Sequence, residues 1–183
     1  MEKSKNAYYD NFSFAGKICY NLTMAWAHFL VNHRILYYIL SYTWGILTTL
    51  FGLAVTLALL CAGKKPTAYH WIYYFRVGSD YWGGFSAGST FLRDQRSADS
   101  AINPHEFGHT FQNTLFGPFA IFISYIPSII RYWTREAQSK KGESLPPYDS
   151  VWFEASATDA GTYAVKLLDE QARMKEYEKT YLK

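Results

Sequence analysis

The longest apolar stretch of the chain covers residues 35–63 and contains no Asp, Glu, Lys, Arg or His. Its 29 residues exceed the roughly 20 that a helix needs to cross a hydrocarbon core. Arg34 precedes it, Lys64 and Lys65 follow it, and tyrosines and tryptophan crowd its first third, where an aromatic belt would lie. The pattern predicts one transmembrane helix. A polar segment precedes it, which distinguishes it from a cleaved signal peptide.

Residues 18–32 carry large apolar side chains at helical spacing, at Ile18, Leu22, Trp26 and Phe29. The segment is too short to cross a membrane, so it predicts an interfacial helix that leads into the crossing. An ordinary amphipathic helix packed on the rest of the protein is the alternative. The chain is therefore expected to divide into a membrane region, 1–63, and a second domain, 64–183.

After Pro66 the pattern changes to a period of two. Residues 68–77 and 85–93 are rich in aromatic and β-branched residues and are joined by a glycine-containing link, which predicts a small β-hairpin. A polar loop then ends at Asn103 and Pro104. Asparagine suits a helix N-cap and proline the first helical turn, so a helix is expected to begin there.

A second charge-free stretch covers residues 110–130 but contains Gly117, Pro118 and Pro127. Its more apolar part, 116–130, is too short to cross a bilayer. We expect a broken interfacial or re-entrant element over 116–133 that returns to the same face. The rival interpretation is a true second span. The C-terminal residues mix both charges and predict an amphipathic helix, so the expected fold is a mainly α membrane protein.

Composition narrows the classes of protein. Of the 183 residues 18% are charged and 19% are aromatic, which excludes a disordered chain. The formal charge of +3 is too small to indicate nucleic acid as a partner. Cys19 and Cys61 show no spacing typical of a structural disulfide.

The most informative motif is His105-Glu106-Phe107-Gly108-His109. On a helix, residues four apart lie on one face one turn apart, so both imidazoles can bind a single ion. Imidazole suits Zn²⁺ better than Ca²⁺ or Mg²⁺. Glu106 would lie beside the metal, where it can take a proton from an activated water molecule. The pattern also occurs by chance on surface helices that bind no metal.

Catalytic zinc usually has three protein ligands, and Glu154 is the best downstream candidate for the third. It follows Asp149 and Ser150, either of which could cap a helix, and it lies among apolar and small residues. A carboxylate in such surroundings is costly to bury unless it is paired or bound to a metal. The alternative is a solvent-facing helix glutamate.

HEFGH followed at a distance by Glu154 resembles the zincin metallopeptidases of the gluzincin type, the group that contains thermolysin. More narrowly, residues 82–161 resemble small bacterial membrane proteins of uncharacterised function with a HE(F/Y)GH core. The segments that carry this resemblance are GGFSAGSTFLRD, HEFGHTFQNTLFGP, IPSII and WFEASATDAG.

The resemblance implies that His105, His109 and Glu154 bind one Zn²⁺ per chain and that Glu106 is the general base. Gluzincins often have an acid four residues after the ligand glutamate to orient a histidine, but this chain has Thr158 there. This chain therefore lacks, at that position, the acid that would hold a ligand histidine in its orientation.

These observations predict a membrane-anchored zinc hydrolase, a metallopeptidase acting on a peptide or protein substrate. A membrane-anchored structural or binding protein with a non-catalytic motif helix is the alternative, and hydrolysis of a lipid or another non-peptide amide would use the same residues. The resemblance implies a bacterial inner membrane, and the basic residues weakly favour a cytoplasmic catalytic side. His70, Tyr148 and Tyr163 could stabilise an oxyanion, although packing roles are more typical. Strand 85–93 could pair with an extended peptide substrate.

Overall fold

A computed structural model describes residues 6–78 and 82–181. The protein is mainly helical with one small mixed sheet. The α-helices are α1 (Phe14–Leu30), α2 (Arg34–Tyr42), α3 (Ile46–Cys61), α4 (Asp99–Phe116), α5 (Ile126–Lys140) and α6 (Trp152–Tyr181). The strands are β1 (Thr67–Tyr69), β2 (Ile72–Arg76), β3 (Gly84–Ala87) and β4 (Thr90–Arg93). A π-helix, Ile121–Tyr125, leads into α5, and a 3-10 turn, Tyr148–Ser150, precedes α6.

The helix predicted over 18–32 is present as α1. Ser13 caps it by accepting a hydrogen bond from the Gly16 amide, 3.1 Å away. Its buried face includes Tyr20, Ala27 and Leu30, which recur at helical spacing. α1 packs against α6 and α2 against α4, so the two predicted regions, 1–63 and 64–183, share one hydrophobic core.

The uninterrupted helix predicted over 35–63 is instead two helices, α2 and α3, that meet at 87°. Tertiary contacts fix the break between them: the Trp44 indole N–H donates to the Leu115 carbonyl, and Gly45 packs against the Asn113 side chain. Within the described residues, no helix taken alone has both the length and the apolar composition for a crossing. Two bent helix pairs meet those criteria together, α2 with α3 and α4 with the segment from Ile121 to Lys140.

The prediction of a single hairpin, in which residues 68–77 pair with residues 85–93, is wrong. Each predicted strand folds back on itself, so β1 and β2 form one antiparallel hairpin and β3 and β4 form another. The two hairpins join through the parallel pair β2–β4, and the strand order is β1-β2-β4-β3. His70 with φ 49° lies in the first turn, and Gly88 with φ 62° lies in the second. β3 is consequently an edge strand of the sheet.

The motif helix begins earlier than predicted. α4 starts at Asp99, and Pro104 lies inside it. Asn103 is not an N-cap, because its side chain is buried and its Oδ1 accepts a hydrogen bond from Arg93, 2.7 Å away. The same guanidinium reaches the Asp99 carboxylate at 2.7 Å. A fully buried arginine therefore ties the end of β4 to the start of α4.

Asp94 fixes the loop between β4 and α4. Its carboxylate accepts from the main-chain amides of Gly83, Arg96 and Ser97 at 2.6–2.9 Å and from the Ser97 hydroxyl at 2.6 Å. Burial would raise the pKa of Asp94, but these hydrogen bonds outweigh it and lower the pKa to about 2. The loop that sets the position of the motif helix thus depends on one ionised side chain.

Asp94→Ala should lower the free energy of unfolding by about 3 kcal/mol at pH 7, since hydrogen bonds to a charged group contribute roughly 1.5–3 kcal/mol each and part of that is recovered by solvation. Because the folded-state pKa lies below the ordinary value of 3.8, this contribution is complete above pH 3.8 and is lost as the pH falls through about 2. Urea unfolding across that range tests it. Glu143→Ala, at an exposed carboxylate, should change stability little at any pH. A deficit for Asp94→Ala that persisted undiminished at pH 2 would contradict the assignment.

Candidate metal centre

α4 and α6 bring together the three residues that the sequence predicted as metal ligands. His105 and His109 lie one turn apart on α4, and Glu154 lies in the first turn of α6. The Glu154 Oε2 atom is 3.2 Å from His105 Nε2 and 3.4 Å from His109 Nε2, and the two Nε2 atoms are 3.2 Å apart. This largely buried group could hold a metal ion.

The three ligand atoms form a nearly equilateral triangle with the dimensions of a tetrahedral zinc site. With metal–ligand bonds of about 2.0–2.1 Å at the tetrahedral angle, two ligand atoms should lie roughly 3.3–3.4 Å apart. The observed edges are 3.2, 3.2 and 3.4 Å. His105 and His109 would hold such an ion beside the cleft that both residues line.

Glu154 is fully buried, with 0% of its surface exposed. Its Oε1 accepts from the Ser128 hydroxyl at 2.5 Å, whereas Oε2 faces only the two imidazoles. Burial would raise the pKa of Glu154, but His105 and His109 outweigh it and hold the pKa well below its usual range. Burial likewise opposes protonation of His109, and the Glu154 carboxylate overrides it and raises that pKa to about 9. Metal binding should therefore release a proton.

Both imidazoles are oriented by partners on their far side. His105 Nδ1 pairs with the Thr158 hydroxyl at 2.9 Å, and His109 Nδ1 pairs with the Gln112 side-chain oxygen at 2.8 Å. The Gln112 amide nitrogen donates to the Phe153 carbonyl at 2.6 Å, which links the motif helix to the helix that carries Glu154. Such outer partners leave Nε2 free for the metal and fix the ring orientation. Thr158 fills the position where an acid was expected, and Gln112 was missed because an amide three residues after a histidine carries no distinctive signal.

Thr158→Val should weaken zinc binding about 10–100-fold, the usual cost of removing an outer partner of a ligand histidine, with little change in fold. The substitution keeps the shape of the side chain and removes only the group that orients His105. Competition with a calibrated chelator would measure the change. Thr162→Val, on the exposed side of the same helix, should bind zinc like the wild type. Equal zinc affinities for Thr158→Val and the wild type would show that the hydroxyl does not orient the ring.

Glu106 is buried beside the triad of His105, His109 and Glu154 but does not belong to it. Its carboxylate packs against the main chain of β3, where a Cβ on Gly84 would lie 2.4 Å from its Oε1. Burial raises the pKa of Glu106, with a further contribution from the Glu154 charge, whereas the two histidines oppose it. Its Oε2 has no hydrogen-bond partner. A carboxylate with a raised pKa and a free oxygen in the cleft is suited to accept a proton.

His105, Glu106 and His109 line a cleft of about 500 Å³, and Glu154 is buried behind the two histidines. β3, α4, α5 and the turn before α6 line this cleft, and Tyr125 and Tyr148 contribute their rings. The Tyr148 ring lies 5.9 Å from the His105 ring, so it is the oxyanion candidate from the sequence that is near the site. Tyr163 stacks on His28 with ring centroids 3.7 Å apart, and His70 lines a separate cavity.

Two glycines, Gly108 and Gly161, set the distance between α4 and α6. A Cβ on Gly108 would lie 1.8 Å from the Ala157 carbonyl oxygen, and a Cβ on Gly161 would lie 1.7 Å from the Pro104 carbonyl oxygen. Only glycine permits this approach of the two backbones. Without it Glu154 would not reach the histidines.

The segment 116–133 is broken, as predicted. The chain turns by 119° between the helix that ends at Phe119 and the one that starts at Ile121. Gly117, with φ 56°, packs directly against Trp44 at the turn. The π-helix that follows directs Ser124 toward Gln112, where its hydroxyl donates to the Oε1 atom at 2.5 Å. After this turn the chain returns toward α4, and Glu154 lies beside His105 and His109.

No family model, no curated protein and no solved structure matches this chain.

Proposed function

We propose that the protein is a membrane-associated, zinc-dependent hydrolase that cleaves peptide bonds, a zincin metallopeptidase of the gluzincin type. The observation that carries the proposal is the triangle of His105, His109 and Glu154, whose edges of 3.2–3.4 Å match a tetrahedral zinc site. Among the described residues the group offers three ligands, whereas structural zinc sites are closed by a fourth protein ligand. This difference, with Glu106 beside the triangle as a candidate base, supports hydrolysis over a purely structural metal.

Zinc, when bound, would supply Lewis acidity that polarises the scissile carbonyl and makes water a better nucleophile near neutral pH. Glu106 would accept the proton of the attacking water as the new C–O bond forms. It would then pass that proton to the amine nitrogen as the C–N bond breaks. The Tyr148 hydroxyl, on a ring 5.9 Å from that of His105, would donate a hydrogen bond to the developing oxyanion.

The free edge of β3 supports a peptide as the substrate. β3 pairs with β4 on one side only, and Gly83 and Asp94 pair just before it. Main-chain groups alternate in direction along a strand, so those of Gly84 and Ser86 point away from β4. The absence of a side chain at Gly84 lets the Glu106 carboxylate pack directly against this strand. An extended peptide could add to this edge as a further strand.

The metal content of the purified full chain is the first test. We expect one equivalent of zinc in the wild type and its loss in Glu154→Gln as well as in His105→Ala and His109→Ala. Glu143→Gln, at an exposed carboxylate, is the control and should keep the metal. Absence of zinc from a folded wild type loaded with the ion would overturn the proposal and favour a binding protein whose motif helix is not catalytic.

The polarity of the N-terminal helices supports contact with a lipid bilayer. Their buried positions include hydroxyl residues, and these bond to main-chain carbonyls, as Ser41 does to Tyr37 at 2.8 Å and Thr49 to Ser41 at 2.7 Å. Most of their exposed positions are apolar, which is the reverse of a helix facing water. The exposed side chains on these helices and on the π-helix and α5 include Ile18, Leu22, Ile39, Leu47, Leu50, Phe51, Phe122, Ile126, Ile129, Ile130 and Trp133.

Charge complements this apolar surface. Residues 11–79 contain no Asp or Glu but include Lys17, Arg34, Lys64, Lys65 and Arg76. A basic and apolar segment of this kind suits an anionic membrane surface. We therefore propose lipid as a partner, with a bacterial inner membrane and a cytoplasmic catalytic side as the localisation that the resemblance and the basic residues favour.

Flotation with vesicles of phosphatidylethanolamine and phosphatidylglycerol should recover the full chain in the lipid fraction. Brominated lipids should quench its tryptophan fluorescence, and Trp133→Phe should reduce that quenching because Trp133 is 64% exposed among the apolar residues of α5. Trp71→Phe, at a buried tryptophan, is the control and should leave the lipid-dependent quenching in place. Failure to float would overturn the membrane part of the proposal and leave the zinc site untouched.

A further inference from the structure

The exposed apolar surface and the cleft meet at a row of aromatic rings. Phe51, which is 55% exposed on α3, packs edge-on against Phe85 of β3, with ring centroids 6.3 Å apart. Phe85 lines the cleft and lies 6.3 Å from the Tyr125 ring. The Tyr125 ring in turn lies 6.4 Å from that of His109. These contacts lead from the membrane-facing surface to a metal ligand without an intervening charged residue.

The wall of the cleft that α5 forms also adjoins exposed apolar side chains. Ser128 and Tyr132 of α5 line the cleft. Ile129, Ile130 and Trp133 of the same helix are exposed. Since consecutive residues of a helix point about 100° apart, one side of α5 forms the cleft wall and the adjacent side continues the apolar surface. The cleft thus lies between two elements that both carry exposed apolar side chains.

The lining becomes charged along α5. Ser128 lies beside the triad, because its hydroxyl donates to Glu154, whereas Arg135 and Glu136 line the cleft about two turns further along α5. One end of the cleft therefore adjoins an apolar surface and another presents charged groups. A chain that is apolar on one side of the scissile bond and polar on the other would match both ends.

We propose, building on the proposed peptidase function, that the substrate is a polypeptide with a membrane-inserted apolar segment and that it is cut close to that segment. The apolar segment would lie in the bilayer beside Phe51. The chain leaving the membrane would pass Phe85 and extend along the free edge of β3 to the triad, with its polar part toward Arg135. Contacts with Phe51 would then select membrane-anchored chains over soluble chains of the same sequence.

The test compares one fluorogenic, internally quenched peptide library of mixed sequence in two forms. One form carries an apolar helix of about 20 residues at its N-terminus, long enough to insert in a bilayer, and the other does not. The zinc-loaded full chain is reconstituted in vesicles of phosphatidylethanolamine and phosphatidylglycerol. We expect the anchored library to be cleaved at least about tenfold faster, with mass spectrometry placing the cuts next to the anchor.

Phe51→Gln should bring the ratio of anchored to soluble cleavage close to one, whereas Leu57→Gln should keep the wild-type ratio. Leu57 is as exposed as Phe51 on the same helix, but it lies outside the row of rings that reaches the cleft. Circular dichroism of both variants establishes that they are folded. Fluorescence anisotropy gives a readout that does not depend on turnover. Metal-free Phe51→Gln should bind the anchored library more weakly than metal-free Leu57→Gln does.

Each other outcome contradicts the proposal at a distinct level. Equal cleavage of the two libraries by the wild type would overturn the substrate class and leave the peptidase function standing. A wild-type ratio retained in Phe51→Gln would overturn the route past Phe51. Cleavage of neither library above the level of Glu106→Gln would overturn the peptidase function itself, and release of fatty acid from the vesicles instead would assign the site to lipid hydrolysis.

Discussion

Glu106→Gln should keep a full equivalent of zinc and lose peptidase turnover by about 10³–10⁴-fold. The amide has nearly the shape of the carboxylate, so the buried position beside Gly84 stays filled. It cannot accept a proton, however, and positioned general bases contribute typically 10²–10⁴-fold to rates. Elemental analysis of the purified variant, paired with steady-state kinetics on a fluorogenic peptide, measures both quantities on one sample.

His105→Ala is the matched comparison, since it should lose both the metal and the activity. Glu143→Gln makes the same chemical change at an exposed site and should behave as the wild type. Equal turnover in Glu106→Gln and the wild type would end the peptidase interpretation, because that mechanism assigns the general base to Glu106. Loss of zinc in Glu106→Gln would instead make Glu106 part of the metal site.

Gly108→Ala and Gly161→Ala should each destabilise the protein by about 2–3 kcal/mol and weaken zinc binding at least tenfold. In an isolated helix the same change would stabilise by roughly 1 kcal/mol, so the expected sign is opposite to helix propensity. The reason is steric: the new methyl groups would overlap main-chain oxygens at 1.7–1.8 Å and force α4 and α6 apart. Because the ligands are divided between these two helices, separation also opens the triangle.

Urea unfolding and chelator competition test both effects. Thr162→Ala changes the exposed neighbour of Gly161 and should stay within about 0.5 kcal/mol of the wild type. If Gly161→Ala unfolds at the wild-type urea concentration and binds zinc normally, the close approach of the two helices does not position Glu154.

The candidate site could be found from the sequence because its signals are local. The spacing of His105 and His109 places both on one helix face whatever the rest of the fold does. Glu154 was identifiable because a carboxylate among apolar and small residues needs a partner. The hydrogen-bond partners of the two imidazoles, Gln112 and Thr158, could not be predicted in this way. Their contacts depend on where α4 and α6 cross.

The main errors concern long-range arrangement. The charge-free segment 35–63 gave no sign of its break at Trp44 and Gly45, because that break is fixed by contacts with α4 more than 60 residues away. Alternating polarity located both β segments but could not show that each folds into its own hairpin. The parallel pairing of β2 with β4 depends on tertiary contacts.

Local sequence patterns alone predict three features of this protein: two imidazoles and a carboxylate on one helix turn, a second carboxylate among apolar residues, and a segment from residue 11 to residue 79 without Asp or Glu. Those features follow from helix periodicity and from the cost of burying charge, which act over a few residues. The tertiary structure was needed to show that the three candidate ligand atoms converge, that β3 is an edge strand, and that apolar side chains face outward over buried hydroxyls. These depend on how closely backbones approach one another, and a linear pattern does not encode such distances.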